Sequence, residues 1–148
     1  MEQNENATAQ AANNRPALAL RTERGLLKMV LLGIITFGIY PLVVECHISE
    51  ELNMIASKHD GRHTMHFIWI ALFFSWLTMG IVPLVWYHRT SDRMGAELRR
   101  RQIAYDFGAT DFWLWDIIGS IIFVGPFIYT YKRMQAMNLI NADFNAKG

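Results

Sequence analysis

Apolar runs alternate with amphipathic segments along this chain, and each change falls beside a glycine and a proline. The three apolar runs cover residues 26–44, 67–87 and 112–131. After the first run, apolar residues recur at helical spacing at Val44, Ile48, Leu52 and Ile55. The pattern predicts an all-α fold of three helix–break–helix repeats, each an interrupted apolar helix followed by an amphipathic one.

The three units superpose when their prolines are aligned. Pro41 and Pro83 lie 42 residues apart, and Pro83 and Pro126 lie 43 residues apart. A fixed period of this length is typical of a repeated supersecondary unit. Four aligned columns then hold similar residues: Val44, Trp86 and Tyr129; His47, Arg89 and Lys132; Leu52, Met94 and Met137; Asn53, Gly95 and Asn138. Every residue of the second column is able to carry positive charge.

The breaks themselves define a short motif. The residues assigned to it are Thr36, Gly38, Tyr40, Pro41, Gly80, Pro83, Gly125 and Pro126. In the first two breaks two residues separate the glycine from the proline, whereas Gly125 directly precedes Pro126. The third break is therefore expected to have a different turn.

The sequence Thr36-Phe37-Gly38-Ile39-Tyr40, followed by Glu51-Leu52-Asn53, resembles the bacterial domain-of-unknown-function family 4234. Members of that family are small membrane proteins with repeated TFGIY-type elements. The resemblance is strongest over residues 26–57, fair over 67–98 and weak over 112–141, and Val43 and Val44 replace the more typical aromatic pair. It implies a location in the bacterial inner membrane and brings with it no activity, cofactor or catalytic residue.

Composition agrees with a membrane protein. Hydrophobic residues make up 52% of the chain and aromatic residues 13%, which is high for a soluble domain of 148 residues. A net charge of +1 favours no nucleic-acid partner, and the single Cys46 excludes an internal disulfide. The expected organisation is a disordered polar tail at 1–20, one membrane domain at 21–141 with repeats at about 26–57, 67–103 and 112–141, and a short tail at 142–148.

Two arrangements of the breaks remain open. If each proline kinks one continuous helix, the chain crosses the membrane three times, but if it starts a new helix after a turn, three hairpins enter and leave on one face. The run at 67–87 has 21 uncharged residues, which suits one crossing. Crossings place nine Lys and Arg residues on one side and five on the other, whereas hairpins place all fourteen on one side, as basic bias favours. We expect crossings, because hairpin arms of about ten to twelve residues would not reach across a bilayer.

Candidate chemistry is sparse. Asp116 lies in an apolar run, where a carboxylate is a candidate functional group, although a position at headgroup level would also explain it. Arg99, Arg100 and Arg101 form a basic cluster suited to anionic lipid headgroups. Three histidines, His59, His63 and His66, have helical ligand spacing, but Asp60-Gly61 breaks that helix, so we expect a polar loop and no metal or cofactor site.

Two functions remain for such a chain. The first is a non-enzymatic scaffold in the membrane, whose amphipathic helices dock a partner or contact the bilayer. The alternative is a homo-oligomeric transport or channel module with broken helices lining a site. That alternative requires Thr36, Thr78 and Asp116 to face a shared interior. An enzyme is not expected, because the sequence has no paired carboxylates and no nucleophile–base spacing.

Overall fold

The computed structural model of the protein describes residues 19–148, and all regular structure in that range is helical. The predicted tail at 1–20 lies almost entirely outside the described residues. Six helices follow in order: α1 (Leu26–Ile35), α2 (Ile39–Asp60), α3 (67–77), α4 (Ile81–Arg100), α5 (109–122) and α6 (Gly125–Lys147). The all-α class predicted from the pattern is confirmed.

Short and long helices alternate. The short helices α1, α3 and α5 are apolar, and each packs against the long helix that follows it across a tight turn. Both α3 and α5 are irregular, because α3 is a π-helix over Ile70–Phe74 and α5 changes from π at Phe112–Ile117 to 3-10 at Ile118–Ile122. The chain therefore forms three helix pairs, α1–α2, α3–α4 and α5–α6.

The first two turns have the same geometry. In each, a non-glycine residue with positive φ precedes a glycine with positive φ: Phe37 at 51° and Gly38 at 86°, then Met79 at 50° and Gly80 at 91°. The amide of each glycine donates to a carbonyl five residues earlier, as in a Schellman helix end. Glycine suits these positions because a Cβ disfavours the left-handed region.

These turns correct the expected arrangement of the breaks. We predicted continuous helices kinked at the prolines, but the chain reverses before each proline, and the prolines occupy the first turns of α2, α4 and α6. Proline fits there because the first amides of a helix have no intrahelical acceptor. Among the described residues, no helix is both long enough and apolar enough to cross a membrane.

The third turn differs from the other two, as its sequence indicated. Phe123, with φ of 61°, is the residue with positive φ there. Gly125 is buried and serves a close approach between helices: a Cβ at this position would lie 2.1 Å from the carbonyl oxygen of Trp115. The glycine of this break is therefore required for packing rather than for the turn.

The core lies between the three long helices. Two of the aligned columns are buried there: Val44, Trp86 and Tyr129 form one, and Leu52, Met94 and Met137 form the other. The segment expected to be a short tail at 142–148 is instead the last part of α6, where Phe144 is buried. Its Asn145 amide also exchanges two hydrogen bonds with the backbone of Leu20.

The column of Asn53, Gly95 and Asn138 contacts the segments that precede the short helices. Asn53 on α2 exchanges two 2.7 Å hydrogen bonds with the backbone of Thr64, ahead of α3. Asn138 on α6 does the same with Arg24, ahead of α1, at 2.9 and 3.1 Å. The equivalent residue on α4 is Gly95, where a Cβ would lie 2.5 Å from the carbonyl oxygen of Phe107, ahead of α5. The long helix of each pair thus contacts the segment that precedes the next short helix, and the long helix of the last pair contacts the segment that precedes α1.

Candidate functional site

Large apolar side chains are exposed at the turns. Phe37 is 97% exposed, Met79 94% and Phe123 84%, and Trp76 next to the second turn is 92% exposed. Further exposed apolar residues lie on the adjoining parts of the helices: Ile34, Ile35, Ile39, Leu72, Phe73, Leu77, Ile81, Ile118, Ile121, Ile122 and Val124. We call all of these residues the turn surface. A monomeric soluble protein rarely exposes an apolar surface of this extent.

The other residues of the break motif build the turns. The Thr36 hydroxyl donates to the carbonyl of Leu32 at 2.6 Å and accepts from the Tyr40 amide at 2.9 Å. The Thr78 hydroxyl makes the same two bonds, to Phe74 and from Val82. Each threonine thereby closes one helix and caps the next. Both hydroxyls are therefore engaged within their own turns.

Beyond their first turns, in the part of the molecule that we call the bundle end, the long helices α2, α4 and α6 bury a cluster of charged and polar groups. Arg133 is 1% exposed, and its Nη2 donates to Glu45 Oε2 at 3.0 Å. Its Nη1 donates to the hydroxyl oxygens of Thr90 and Tyr129. Its guanidinium carbon lies 5.4 Å from the centre of one Trp86 ring and 5.2 Å from that of Tyr87, a cation–π arrangement.

The ionisation of this cluster is fixed by its surroundings. Burial disfavours the charged form of Arg133, but the charge and hydrogen bond of Glu45 together with the neighbouring Tyr129 and Tyr87 outweigh burial and raise the pKa of the guanidinium. Burial raises the pKa of Tyr129 to about 12, so its hydroxyl stays neutral and able to bond with Ser91 at 2.8 Å. An enclosed guanidinium whose pKa is raised has no proton to exchange near neutral pH, which suits a structural role.

A second buried arginine ties α4 to the loop after α2. Arg93 donates through Nε and Nη2 to the Asp60 carboxylate, at 2.6 and 3.1 Å. Its Nη1 donates to Asn53 and Thr64, and its Nη2 also contacts the Ser57 hydroxyl and the carbonyl of Arg62. Burial opposes ionisation of Asp60, but the hydrogen bonds and charge of Arg93 outweigh it and lower the Asp60 pKa. The Arg93 guanidinium is saturated and cannot also bind a ligand.

Neither arginine was singled out by sequence reasoning. Helical periodicity placed Glu45 and Glu51 away from the apolar stripe, yet both are buried. Glu51 bonds Arg24 at 2.6 Å and Asn141 at 2.8 Å, which again joins the first pair to the last helix. Glu45 and Arg133, which form the buried ion pair, lie 88 residues apart in the sequence. No local pattern reports such a pairing.

The basic cluster is divided between two roles. Arg101 is almost fully buried and bonds Glu97 at 2.7 Å and Asp143 at 2.8 Å. Arg100 also pairs with Glu97, at 2.5 Å, but is partly exposed. Arg99 is exposed. Only Arg99 and part of Arg100 therefore remain accessible for the lipid contact predicted from the sequence.

Asp116 lies in the π-helical part of α5 and is partly exposed. Its backbone carbonyl accepts a hydrogen bond from Ser120. The charges of Arg133 and Glu45 are near enough to act on its carboxyl group. Asp116 therefore lies near the buried cluster of Arg133 and Glu45.

The histidine-rich loop shows no metal-ligand geometry. Helix α2 ends at Gly61, with φ of 62°, between His59 and His63. His66 lies 2.8 Å from Glu50 through its Nε2. Within residues 19–148, no group of three His, Cys, Asp or Glu side chains is placed to hold a metal ion.

The fold and these surfaces define an all-α protein of helix pairs, with apolar side chains exposed at the turns and charged side chains buried at the bundle end. Residues 24–96 match the model of the family described as Domain of unknown function (DUF4234). The match confirms the resemblance seen in the TFGIY motif. Comparisons with curated proteins and with solved structures return no match.

Proposed function

We propose that this protein is a non-enzymatic membrane scaffold whose three helix pairs dip into one leaflet of the bilayer and return to the same face. The observation that carries the proposal is the turn surface, where the most exposed apolar side chains of all three turns collect. The buried charges lie further along the long helices, at the bundle end, where they hold together a platform for a docked partner.

The lengths of the short helices support one-leaflet insertion. Helix α1 has 10 residues, which at 1.5 Å per residue is about 15 Å. The hydrocarbon core of a bilayer is about 30 Å thick, so such a helix reaches about halfway. The backbone is tolerated at that depth because the turns satisfy their own amides through the carbonyl and threonine bonds.

The energetics of the turn surface also support insertion. Moving one large apolar side chain out of water contributes about 1.5–3 kcal/mol. Phe37, Trp76, Met79 and Phe123 are almost fully exposed, so together they would contribute on the order of 10 kcal/mol in a bilayer. That is enough for tight association without a crossing helix.

The transport alternative has less support. It needs Thr36, Thr78 and Asp116 to line one interior, but both threonine hydroxyls are used within their turns. The buried interior between the long helices is filled by Arg133 and its partners, which leaves no path through them. These contacts favour the scaffold.

Cysteine labelling tests the topology. In a Cys46→Ser background, single cysteines replace His59, Ala104 and Ala146, three exposed residues at the bundle end. A membrane-impermeant thiol reagent should label none of them in intact cells and all of them after lysis. Labelling of His59→Cys and Ala146→Cys but not Ala104→Cys in intact cells would instead indicate three crossings.

Insertion is tested separately with purified protein. The triple variant Phe37→Asn, Met79→Asn, Phe123→Asn removes one exposed apolar side chain from each turn, and asparagine tolerates their left-handed backbone. It should remain folded in detergent and lose flotation with vesicles. Met54→Asn, an exposed apolar residue on α2 far from the turns, is the control that should float normally. Normal flotation of the triple variant would refute the proposal.

A further inference from the structure

A groove lies beside the α3–α4 pair, between the turn surface and the buried charges. Its volume is about 700 Å³. One end is lined by apolar side chains of the pair, Ile70, Val82 and Val85. The other end is lined by Arg62, His63 and Arg89. In the proposed orientation, the apolar end would adjoin the acyl chains and the basic end would lie at headgroup level.

The basic end offers accessible donors. Arg89 is exposed, and in the described part of the chain its guanidinium has no ion pair or hydrogen bond. His88 accepts a 3.0 Å hydrogen bond from the Trp113 indole on Nδ1, so its neutral ring carries the proton on Nε2 and can donate there. Arg93 lies in the wall but is saturated, and Asp92 is the one carboxylate among the lining residues whose charge opposes an anion.

A second groove, of about 440 Å³, lies at the matching place beside the α1–α2 pair. Its lining includes Lys28, Tyr40, Val44 and His47. Each of these is 42 residues before a residue that lines the first groove, so the repeat offset relates the two sites. His47 corresponds to Arg89 in the basic column. The two grooves are therefore equivalent features of two helix pairs.

The third pair shows what such a column residue binds. There the equivalent of Arg89 is Lys132, and its ammonium group pairs with the carboxylate of Asp111 in the first turn of α5. The chain itself thus supplies an anion at this position in one pair. In the other two pairs the same position opens into a groove.

From these observations we propose that the groove at Arg89 binds the phosphate of an anionic glycerophospholipid, with an acyl chain along Ile70, Val82 and Val85. The inference rests on the proposed membrane insertion and goes beyond it by naming a specific lipid site. It differs from the general attraction of a basic cluster because apolar and basic walls meet in one groove. A charge-assisted bond from a guanidinium to phosphate is among the stronger hydrogen bonds of proteins.

The test is a titration of the full-length protein in neutral detergent micelles with short-chain phosphatidylglycerol, short-chain phosphatidylcholine and inorganic phosphate, followed by calorimetry. Phosphatidylglycerol should bind saturably and the other two weakly. Arg89→Gln should weaken its binding by about tenfold, as loss of one charge-assisted bond predicts. Lys58→Gln removes an exposed charge of α2 that lines neither groove and should leave binding unchanged. Asp92→Asn should tighten it.

Equal losses in Arg89→Gln and Lys58→Gln would overturn the groove and indicate general electrostatics. Phosphate binding as tightly as phosphatidylglycerol would overturn the lipid assignment. Absence of saturable phosphatidylglycerol binding by protein that floats with vesicles would overturn this inference alone. Saturable, Arg89-dependent binding by protein that fails to float would instead keep the groove and refute the insertion proposal.

Discussion

The two ends of this molecule reverse the usual distribution of side chains. At the turn surface, phenylalanine, tryptophan and isoleucine face outward, while at the bundle end, formed by α2, α4 and α6 beyond their first turns, Arg133, Glu45 and Arg93 are buried. The same three helix pairs build both ends. The comparison teaches that the short helices have surfaces suited to an apolar environment, whereas the long helices have surfaces that pack against one another.

The difference also assigns two properties to different regions: the bundle end determines the stability of the fold, and the turn surface determines its location in the membrane. Buried charges and hydrogen-bonded amides at the bundle end hold the helices together through bonds between distant residues. The exposed side chains of the turn surface make few contacts that a fold would need. Changes at the bundle end should therefore unfold the protein, and changes at the turns should move it out of the membrane.

The largest expected effect is at the buried ion pair. Glu45→Gln leaves the enclosed charge of Arg133 without its counterion, and such a loss typically costs about 3–5 kcal/mol. Denaturant unfolding in detergent measures it. Adding Arg133→Met should recover most of the loss, and Glu50→Gln, which removes an exposed carboxylate of the same helix, should have little effect. Little loss in Glu45→Gln would show that the pair is not enclosed.

Next in size is the contact that joins the last helix to the first pair. Asn138→Ala removes both hydrogen bonds to the Arg24 backbone and should destabilise the fold by about 1–3 kcal/mol. Thermal unfolding in detergent is the measurement. Gln135→Ala, on the exposed side of the same helix, is the matched control. Equal melting temperatures for the two variants would contradict the role of Asn138 as an entry contact.

Acid should loosen the bundle end only. In Asp60, Glu97 and Asp143, burial opposes ionisation, yet hydrogen bonds from arginine or lysine outweigh it, so the pKa of each is lowered. Their contribution to stability is complete above the unfolded pKa values, near 4, and is lost as pH falls through the lower folded values. Unfolding followed from pH 7 downward should show this loss, and Asp60→Asn should reduce it. A stability that is flat below pH 4 would contradict it.

The smallest effect on stability, and the sharpest contrast, is expected at Trp76. Because its ring is almost fully exposed, Trp76→Ser should change the free energy of unfolding in detergent by no more than about 0.5 kcal/mol. The same variant should partition less into vesicles. A large loss of stability in detergent would show that the turn surface is packed against protein, which would end the distinction between the two ends.

Sequence patterns predicted the helices and the positions of the breaks, because glycine, proline and apolar spacing are local signals. They did not distinguish a kink from a turn, since a proline near a helix start satisfies both, and the positive φ of Phe37 and Met79 has no residue signature. The pairing of Glu45 with Arg133 was missed for a different reason. It depends on helices brought together across 88 residues, a separation that local sequence patterns do not cover.

The contact between Asn138 and Arg24 has a consequence for biosynthesis. A chain made from its N-terminus displays the backbone of Arg24 about 114 residues before its partner exists. The α1–α2 pair can form its turn at once, because the Thr36 bonds are local. It cannot be locked in place until α6 has left the ribosome. The last contact to form therefore closes a ring between the last helix and the first, and a chain that stops before Asn138 lacks both hydrogen bonds to the backbone of Arg24.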